Sequence, residues 1–393
     1  MKLGIVFYNL GRKGGAERRY YNLICTLAQN QKVYILANSS VFDLWNILGG
    51  FNENAIIDCI LKDSYQRKDQ IIKENLTKKN NTLFKNFLKS IIPKELKSFI
   101  KTFGSIINLN ISVFRWIVRY KITHINTFQA SGILAVLAKL SGCKVVFSYV
   151  DYMVENGYPF RWISNQGLRT VVRISDKYDF LSSMIPERMQ KMGLNLQSKK
   201  IFIPPISFTN FSKFTISLPK KRKIVFSGRL EKIKNPFLAL EVAKELSKRK
   251  ISYTLLMLGD GTLRLDLETY IKANKLSENV RIFHTSKVEN ELQDALIFLS
   301  LQKENNYPSQ ALLEAMACGC IPIATDVGET RKIVNQDIGY LVSENADKIA
   351  DIICHVFEKK DLFEKKGFEI REITLKKFSI HQYLEYYHSL FKF

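Results

Sequence analysis

No stretch of this 393-residue sequence holds the roughly 18 consecutive apolar residues that a membrane-crossing helix needs. The nearest candidate, residues 132–150, is interrupted by Lys139 and Lys144. The apolar run within the N-terminal MKLGIVFYNLGRKGG is too short for a secretory signal, and basic residues follow it. These absences point to a cytoplasmic protein. Cysteines are few: Cys25, Cys59, Cys143, Cys318, Cys320 and Cys354. Their spacing fits no zinc pattern, because Cys318-x-Cys320 has no second pair to complete a ligand set. Buried, reduced thiols are the expectation. No Asp-x-Asp pair and no GxGxxG fingerprint are present, and no repeat or low-complexity segment stands out. No stacking-aromatic or groove-reading motif suggests a nucleic-acid partner.

Acidic residues are also in short supply: 37 Asp and Glu face 59 Lys and Arg, a formal net charge of +22. Such an excess favours anionic partners. Much of it lies between Lys62 and Lys121, with 14 basic and 4 acidic residues. Leu83, Phe84, Phe87, Leu88, Ile91, Ile92, Phe99, Phe103, Ile106 and Ile107 interleave with those charges. Basic amphipathic helices of this kind suit an anionic membrane surface, which would make the protein peripheral on the inner face of the cell membrane. The same pattern also suits a helix packed on its own domain.

With 46% hydrophobic residues the chain is globular, and its length suits two or three domains. Lys2–Asn9 reads as a strand, followed by the glycine-bearing loop Gly11, Gly14, Gly15 and a helical stretch from Ala16. Further strands are expected at 33–37, 122–126, 144–149, 178–182 and 201–203, with helices at 130–140 and 186–192. Residues 43–62 have no clear periodicity. Pro204-Pro205 marks a boundary, and 205–222, with the basic cluster Lys220 to Lys223, reads as a solvated linker. A second alternation of strands and helices follows over 223–375, and 376–393 forms a terminal helix. The expectation is α/β: two Rossmann-like, doubly wound domains, 1–204 and 223–375, facing each other across a cleft.

Three segments carry chemistry. Gly228-Arg229 leaves a strand and reaches Lys234-Asn235 before a helix at Pro236. Two cations five residues apart on one loop can converge on one anion; Arg grips a diphosphate bidentately and Lys acts as a point charge. Gly259-Asp260-Gly261 lets the main chain turn sharply beside a ligand. The stretch YPSQALLEAMACGCIPIATDVGE, 307–329, reads as turn, helix, turn, strand. Pro308 and Ser309 open that helix, whose N-terminus is an anion site, and Glu314 stands near its start.

In this order, Gly228-Arg229, Lys234-Asn235, Leu258-Gly259-Asp260-Gly261 and Glu314 to Gly319, then Pro322, Thr325 and Gly328, resemble the GT-B glycosyltransferases of family 4. Gly14-Gly15-Ala16-Glu17 is similar to that family's N-terminal glycine loop. The resemblance is strongest over 224–340 and weakest over 40–121. It implies a retaining glycosyltransferase that moves a sugar from a UDP- or GDP-sugar to a glycan or lipid-linked acceptor in bacterial surface polysaccharide or lipopolysaccharide synthesis. It implies no metal and no cofactor beyond the donor. Arg229 and Lys234 would hold the diphosphate, with Gly228, Gly259 and Asp260 beside them. Ser309, Gln310, Ala311 and Leu312 would present main chain to phosphates and sugar, Glu314 would hold the ribose, and Gly14 and Gly15 would close over the diphosphate. The family has a glutamate eight positions before Glu314; this chain has Asn306 there, with Glu304 nearby. The family's acceptor-side His-Asp is Val150-Asp151 here, leaving Asp151 or His124 for that role. Those two departures leave open a non-catalytic nucleotide-binding scaffold, and a nucleotide-sugar epimerase of similar architecture is a further alternative.

Overall fold

The computed structural model describes residues 1–7, 15–61, 94–128, 133–150, 161–205, 208–305 and 307–392. The chain divides into two compact units: Met1–Pro204 with Tyr387–Phe393, and Pro205–Tyr386.

In the first unit the described elements are β1 (Leu3–Phe7), α1 (Gly15–Asn30), β2 (Val33–Asn38), α2 (Ser39–Ile47), β3 (Ala55–Leu61), α3 (Lys94–Tyr120) and β4 (His124–Phe128). Then come α4 (Val136–Leu140), β5 (Lys144–Tyr149), α5 (Arg161–Ile174), β6 (Lys177–Phe180), α6 (Met184–Lys191) and β7 (Ile201–Phe202). All seven strands run parallel, in the order β3-β2-β1-β4-β5-β6-β7. Covered on both faces, such strands need unbroken apolar runs, and LGIVF in β1 is buried at every position. The aperiodic stretch 43–62 resolves into the end of α2 and β3. Trp45 on α2 packs edge-on or tilted against Phe7, Phe42 and Phe51, and its indole N–H donates to the Glu17 carbonyl at 3.1 Å. Gly4 is required by packing: a Cβ there would stand 2.5 Å from the Trp116 ring of α3.

A buried polar chain crosses the middle of this sheet. The Tyr387 hydroxyl donates to Asn126 Oδ1 at 3.2 Å, Asn126 Nδ2 to Ser148 Oγ at 2.8 Å, and Ser148 Oγ to Asp179 Oδ2 at 2.7 Å. It joins β4, β5 and β6 to the last helix. Lys177 Nζ donates to the Lys392 carbonyl at 2.6 Å, placing a cation where the end of that helix carries partial negative charge.

The second unit repeats the winding with β8 (Lys221–Ser227), α7 (Pro236–Lys248), β9 (Thr254–Leu258), α8 (Arg264–Ala273), β10 (Val280–Phe283), α9 (Val288–Leu292) and β11 (Ala295–Ser300). It continues through α10 (Gln310–Ala317), β12 (Ile321–Thr325), β13 (Tyr340–Val342), α11 (Ala346–Glu358), α12 (Lys360–Lys377) and α13 (Ile380–Leu390). The parallel order is β10-β9-β8-β11-β12-β13. The join between the two units falls within α13, between Tyr386 and Tyr387. One large apolar core runs through the sheet and its helices, and Cys318 and Cys320 are fully buried in it. Burial raises the pKa of both thiols.

The Lys220–Lys223 cluster is not a solvated linker. β8 begins at Lys221, and Lys221 and Lys223 both pair with Asp294. Lys220 is only 1% exposed; its ammonium donates to the carbonyls of Gln293 at 3.0 Å, Ala295 at 2.9 Å and Cys318 at 2.5 Å. An ammonium offers three donors, and three inward-facing carbonyls take them all, which is how a lysine tolerates complete burial.

Candidate functional site

The order of the second sheet places β8 and β11 side by side, with chain connections leaving in opposite directions from that point. The carboxyl ends of two such strands form the crevice where doubly wound sheets take ligands. The loop after β8 carries Gly228, Arg229 and Lys234; the loop after β11 leads to Ser309 and α10. Residues about 75 positions apart in sequence are thereby brought to adjoining strand ends.

The floor of this region is main chain. Gly228 N–H donates to the Leu258 carbonyl at 3.0 Å, Gly259 N–H to Phe283 at 2.9 Å, and Leu230 N–H to Asp260 at 2.9 Å. The turns after β8, β9 and β10 are thus laced backbone to backbone. A Cβ on Gly259 would overlap the Gly228 carbonyl, and one on Gly261 would stand 2.5 Å from the Leu230 carbonyl. Glu231 reinforces the lacing from its side chain, accepting from Thr262 N at 3.2 Å and Thr262 Oγ1 at 2.8 Å. Asp260 serves its own turn, its carboxylate accepting the Gly261 N–H at 2.9 Å.

Above the floor stand two cations. Arg229 is exposed. Lys234 is half-buried, its stem passing 4.0 Å from where a Gly228 Cβ would be. Burial, together with the charge of Arg229, brings the Lys234 ammonium down to about 8. Both effects disfavour the charged form, so an arriving anion would relieve them. Asn235 follows in a left-handed conformation at φ 54°, which lets Pro236 start α7; its amide donates to Glu344 at 2.9 Å.

α10 meets this edge with its N-terminus. Ser309 caps it, Oγ accepting from the Leu312 N–H at 3.4 Å. Gln310 is tied down by its side chain, which donates to the Phe208 carbonyl at 2.9 Å. Leu312 is buried and Ala311 packs partly against the core, so 310–312 face a ligand through main chain. Glu314 sits in the second turn and is 9% exposed. The far end of α10 is held by cations: Lys220 on the Cys318 carbonyl and Arg371 on the carbonyls of Phe214 and Ala317. Cations at a helix C-terminus complement its negative pole.

Asn305 organises the neighbouring turns. Its Oδ1 accepts from Tyr307 N at 3.2 Å and Glu329 N at 3.0 Å, and Gly328 lies so close that a Cβ would be 2.5 Å from Asn305. Glu329 pairs with Lys332, whose ammonium lies 5.2 Å from the Tyr307 ring centre.

Of the residues expected at the site, Gly228, Arg229, Lys234, Gly259, Asp260, Ser309, Gln310, Ala311, Leu312 and Glu314 all lie on this one unit, in the loops after β8 and β9 or at the start of α10. Gly15 opens α1 in the first unit. Gly14, Asp151 and Asn306 lie outside the described residues. Among the described residues no three His, Cys, Asp or Glu side chains converge to hold a metal ion. Sequence reasoning missed Glu231, Asn305, Lys220 and Arg371, which shape the site without fronting it. Asn305 precedes the Asn306 singled out by spacing, but nothing in the sequence marks the buried role of Lys220.

Residues 208–369 match the family model described as glycosyl transferases group 1, which covers most of the second unit. A segment of 92 residues is 32% identical to GalNAc-alpha-(1->4)-GalNAc-alpha-(1->3)-diNAcBac-PP-undecaprenol alpha-1,4-N-acetyl-D-galactosaminyltransferase of Campylobacter jejuni, covering 23% of this chain and 24% of that one. A segment of 175 residues is 27% identical to the putative colanic acid biosynthesis glycosyltransferase WcaL of Escherichia coli K12, covering 42% and 43%. The chain thus spans less than half the length of the curated relatives it matches. The fold extends over the whole chain: the crystal structure of Anabaena Alr3699/HepE in complex with UDP superposes with a TM-score of 0.70, at 12% identity, over 99% of both chains.

Proposed function

We propose that this chain, which carries a glycosyl transferases group 1 domain on a GT-B fold, transfers a sugar from a nucleotide-sugar donor to a glycan or lipid-linked acceptor with retention of configuration. The observation that carries the proposal is the meeting of Arg229, Lys234 and the Ser309-capped start of α10 at adjoining strand ends. Arg229 and Lys234 hold the donor diphosphate. As the bond between sugar and phosphate breaks, negative charge builds on the leaving oxygen, and two fixed cations plus the first-turn amides of α10 stabilise it. Glu314 accepts hydrogen bonds from the ribose hydroxyls. The leaving phosphate takes the acceptor proton as the new bond forms on the same face of the sugar, with Asp151 as the acceptor-side carboxylate. The reaction takes no metal cofactor. The Anabaena neighbour is a UDP complex, and the names of the two relatives point to undecaprenol-linked and colanic acid glycans. That company supports a nucleotide-sugar donor, UDP- or GDP-linked, and a bacterial surface-glycan pathway in the cytoplasm.

The test is release of nucleoside diphosphate from a panel of UDP- and GDP-sugars with undecaprenyl-diphosphate-linked glycans, in the presence of EDTA. Arg229→Ala and Glu314→Ala should each lower turnover by roughly a hundredfold or more. Equal rates in wild type and variants would sink the assignment.

A further inference from the structure

The structure leaves one amphipathic feature that donor binding does not use. α3 runs from Lys94 to Tyr120 and buries one face: Asn110, Val113, Trp116 and Ile117 are all 6% exposed or less. Val113, Trp116 and Ile117 enter the core with Val6, Leu36, Ile125 and Val145. Ile107, Ile111, Phe114 and Val118 occupy another face at intervals of four, three and four residues, so they form one line along the helix. Ile107 is 45% exposed, Phe114 40% and Val118 59%, with Ile111 half-covered between them. Arg115 and Arg119 stand beside that line, one residue on from Phe114 and Val118, and both are exposed. Arg119 reaches Asp58 only at 3.7 Å, with its side chain 70% exposed. Lys121, also exposed, ends the helix.

Isolated exposed apolar residues are ordinary, but an apolar line with cations along one side, in a chain of net charge +22, is not. A protein partner would suit the apolar line. The flanking row of one sign of charge selects a surface that is apolar just beneath an anionic layer. We infer that the outer face of α3 docks on an anionic lipid bilayer, lying in the plane of the interface with Ile107, Ile111, Phe114 and Val118 toward the acyl chains and Arg115, Arg119 and Lys121 among the headgroups. No helix among the described residues is long and apolar enough to cross a membrane, so this contact would be peripheral. It does not rest on the transferase reading, because vesicle binding is measured without donor or acceptor.

The experiment is flotation of the full chain with vesicles of phosphatidylcholine alone or with one-third phosphatidylglycerol, at low and high salt. Wild type should float with the anionic vesicles at low salt, stay down with phosphatidylcholine, and be released at high salt. Phe114→Ser/Val118→Ser should lower the bound fraction at least tenfold. Arg115→Gln/Arg119→Gln should weaken binding by roughly fivefold per arginine and flatten the salt dependence. Both pairs are exposed, so thermal melts should match wild type and exclude misfolding as the cause. Wild type that stays down with anionic vesicles, equal flotation by folded variants, or equal capture by both vesicle types would overturn the inference. So would a vesicle-free dimer that the apolar pair abolishes, since the line would then be covered by a second copy.

Discussion

The two units wind their sheets in the same order, yet they are held in different ways. Around the middle of the first sheet the joints are side chains: Tyr387, Asn126, Ser148 and Asp179 pass a hydrogen bond across three strands. At the carboxyl end of the second sheet the joints are main-chain amides and carbonyls, packed closely enough that glycine is required at 259 and 261. A side-chain network fixes geometry by filling the interior between strands. A main-chain floor fixes it while leaving the space above open. The second solution suits a site that must admit a large anion.

Breaking each kind of joint should show the contrast, and the floor should give the largest effect. Gly259→Ala drives a methyl into the Gly228 carbonyl, so the turns after β8 and β9 must separate. A loss of ~3 kcal/mol is expected, together with loss of nucleotide binding. Denaturant melts and calorimetry with UDP and GDP measure the two. Asn126→Ala in the first unit should cost about 2 kcal/mol, because it removes two buried hydrogen bonds, one from Tyr387 and one to Ser148. Tyr387→Phe should cost about 1 kcal/mol by the same melts, since it removes one donor and leaves the ring packed.

Lys234 sharpens the comparison through pH. Its folded-state pKa, about 8, lies below the ordinary 10.5, so between those values the unfolded chain holds more protons and stability rises with pH. On the proposed reading, diphosphate binding runs the other way: it uses the ammonium, and affinity should fall above about pH 8. Lys234→Met should therefore stabilise the ligand-free protein by about 1 kcal/mol while weakening nucleotide binding at least tenfold. Lys234→Arg should keep binding flat from pH 7 to 9.5. A pH-independent affinity in wild type would contradict this. The smallest effect belongs to the surface. Arg331→Gln removes an exposed pair with Asp326 and should change stability by less than about 0.5 kcal/mol in thermal melts.

How much of this was legible in the sequence follows from the same contrast. Strands buried on both faces announce themselves as apolar runs, and β1, β5, β9 and β11 stand near where those runs fall. The cations of the β8 loop and the cap of α10 were readable because cap and turn chemistry is local. α12 was not. Its buried line is Phe363, Gly367, Ile370 and Thr374, in which a glycine and a threonine stand where periodicity needs apolar residues. The reason is long-range: Gly367 lies against Gly319, and a Cβ there would be 2.6 Å from the Gly319 carbonyl. α5 was missed because its sequence, RWISNQGLRTVVRI, has few apolar positions outside its last turns. Lys220 was misread because the one property that matters, three carbonyls waiting in the core, is written in residues 293, 295 and 318.

The main-chain floor has a consequence for how this protein would look to a mutational scan. Replacing side chains one by one with alanine would report Arg229, Lys234 and Glu314 and reach the surface they stand on only through its props, Glu231 and Asp260, because the floor itself is main chain. Only a scan that adds atoms would find it directly, with its sharpest signals at Gly259 and Gly261. A map drawn by subtraction would show scattered residues; one drawn by addition would show the platform that makes them a site.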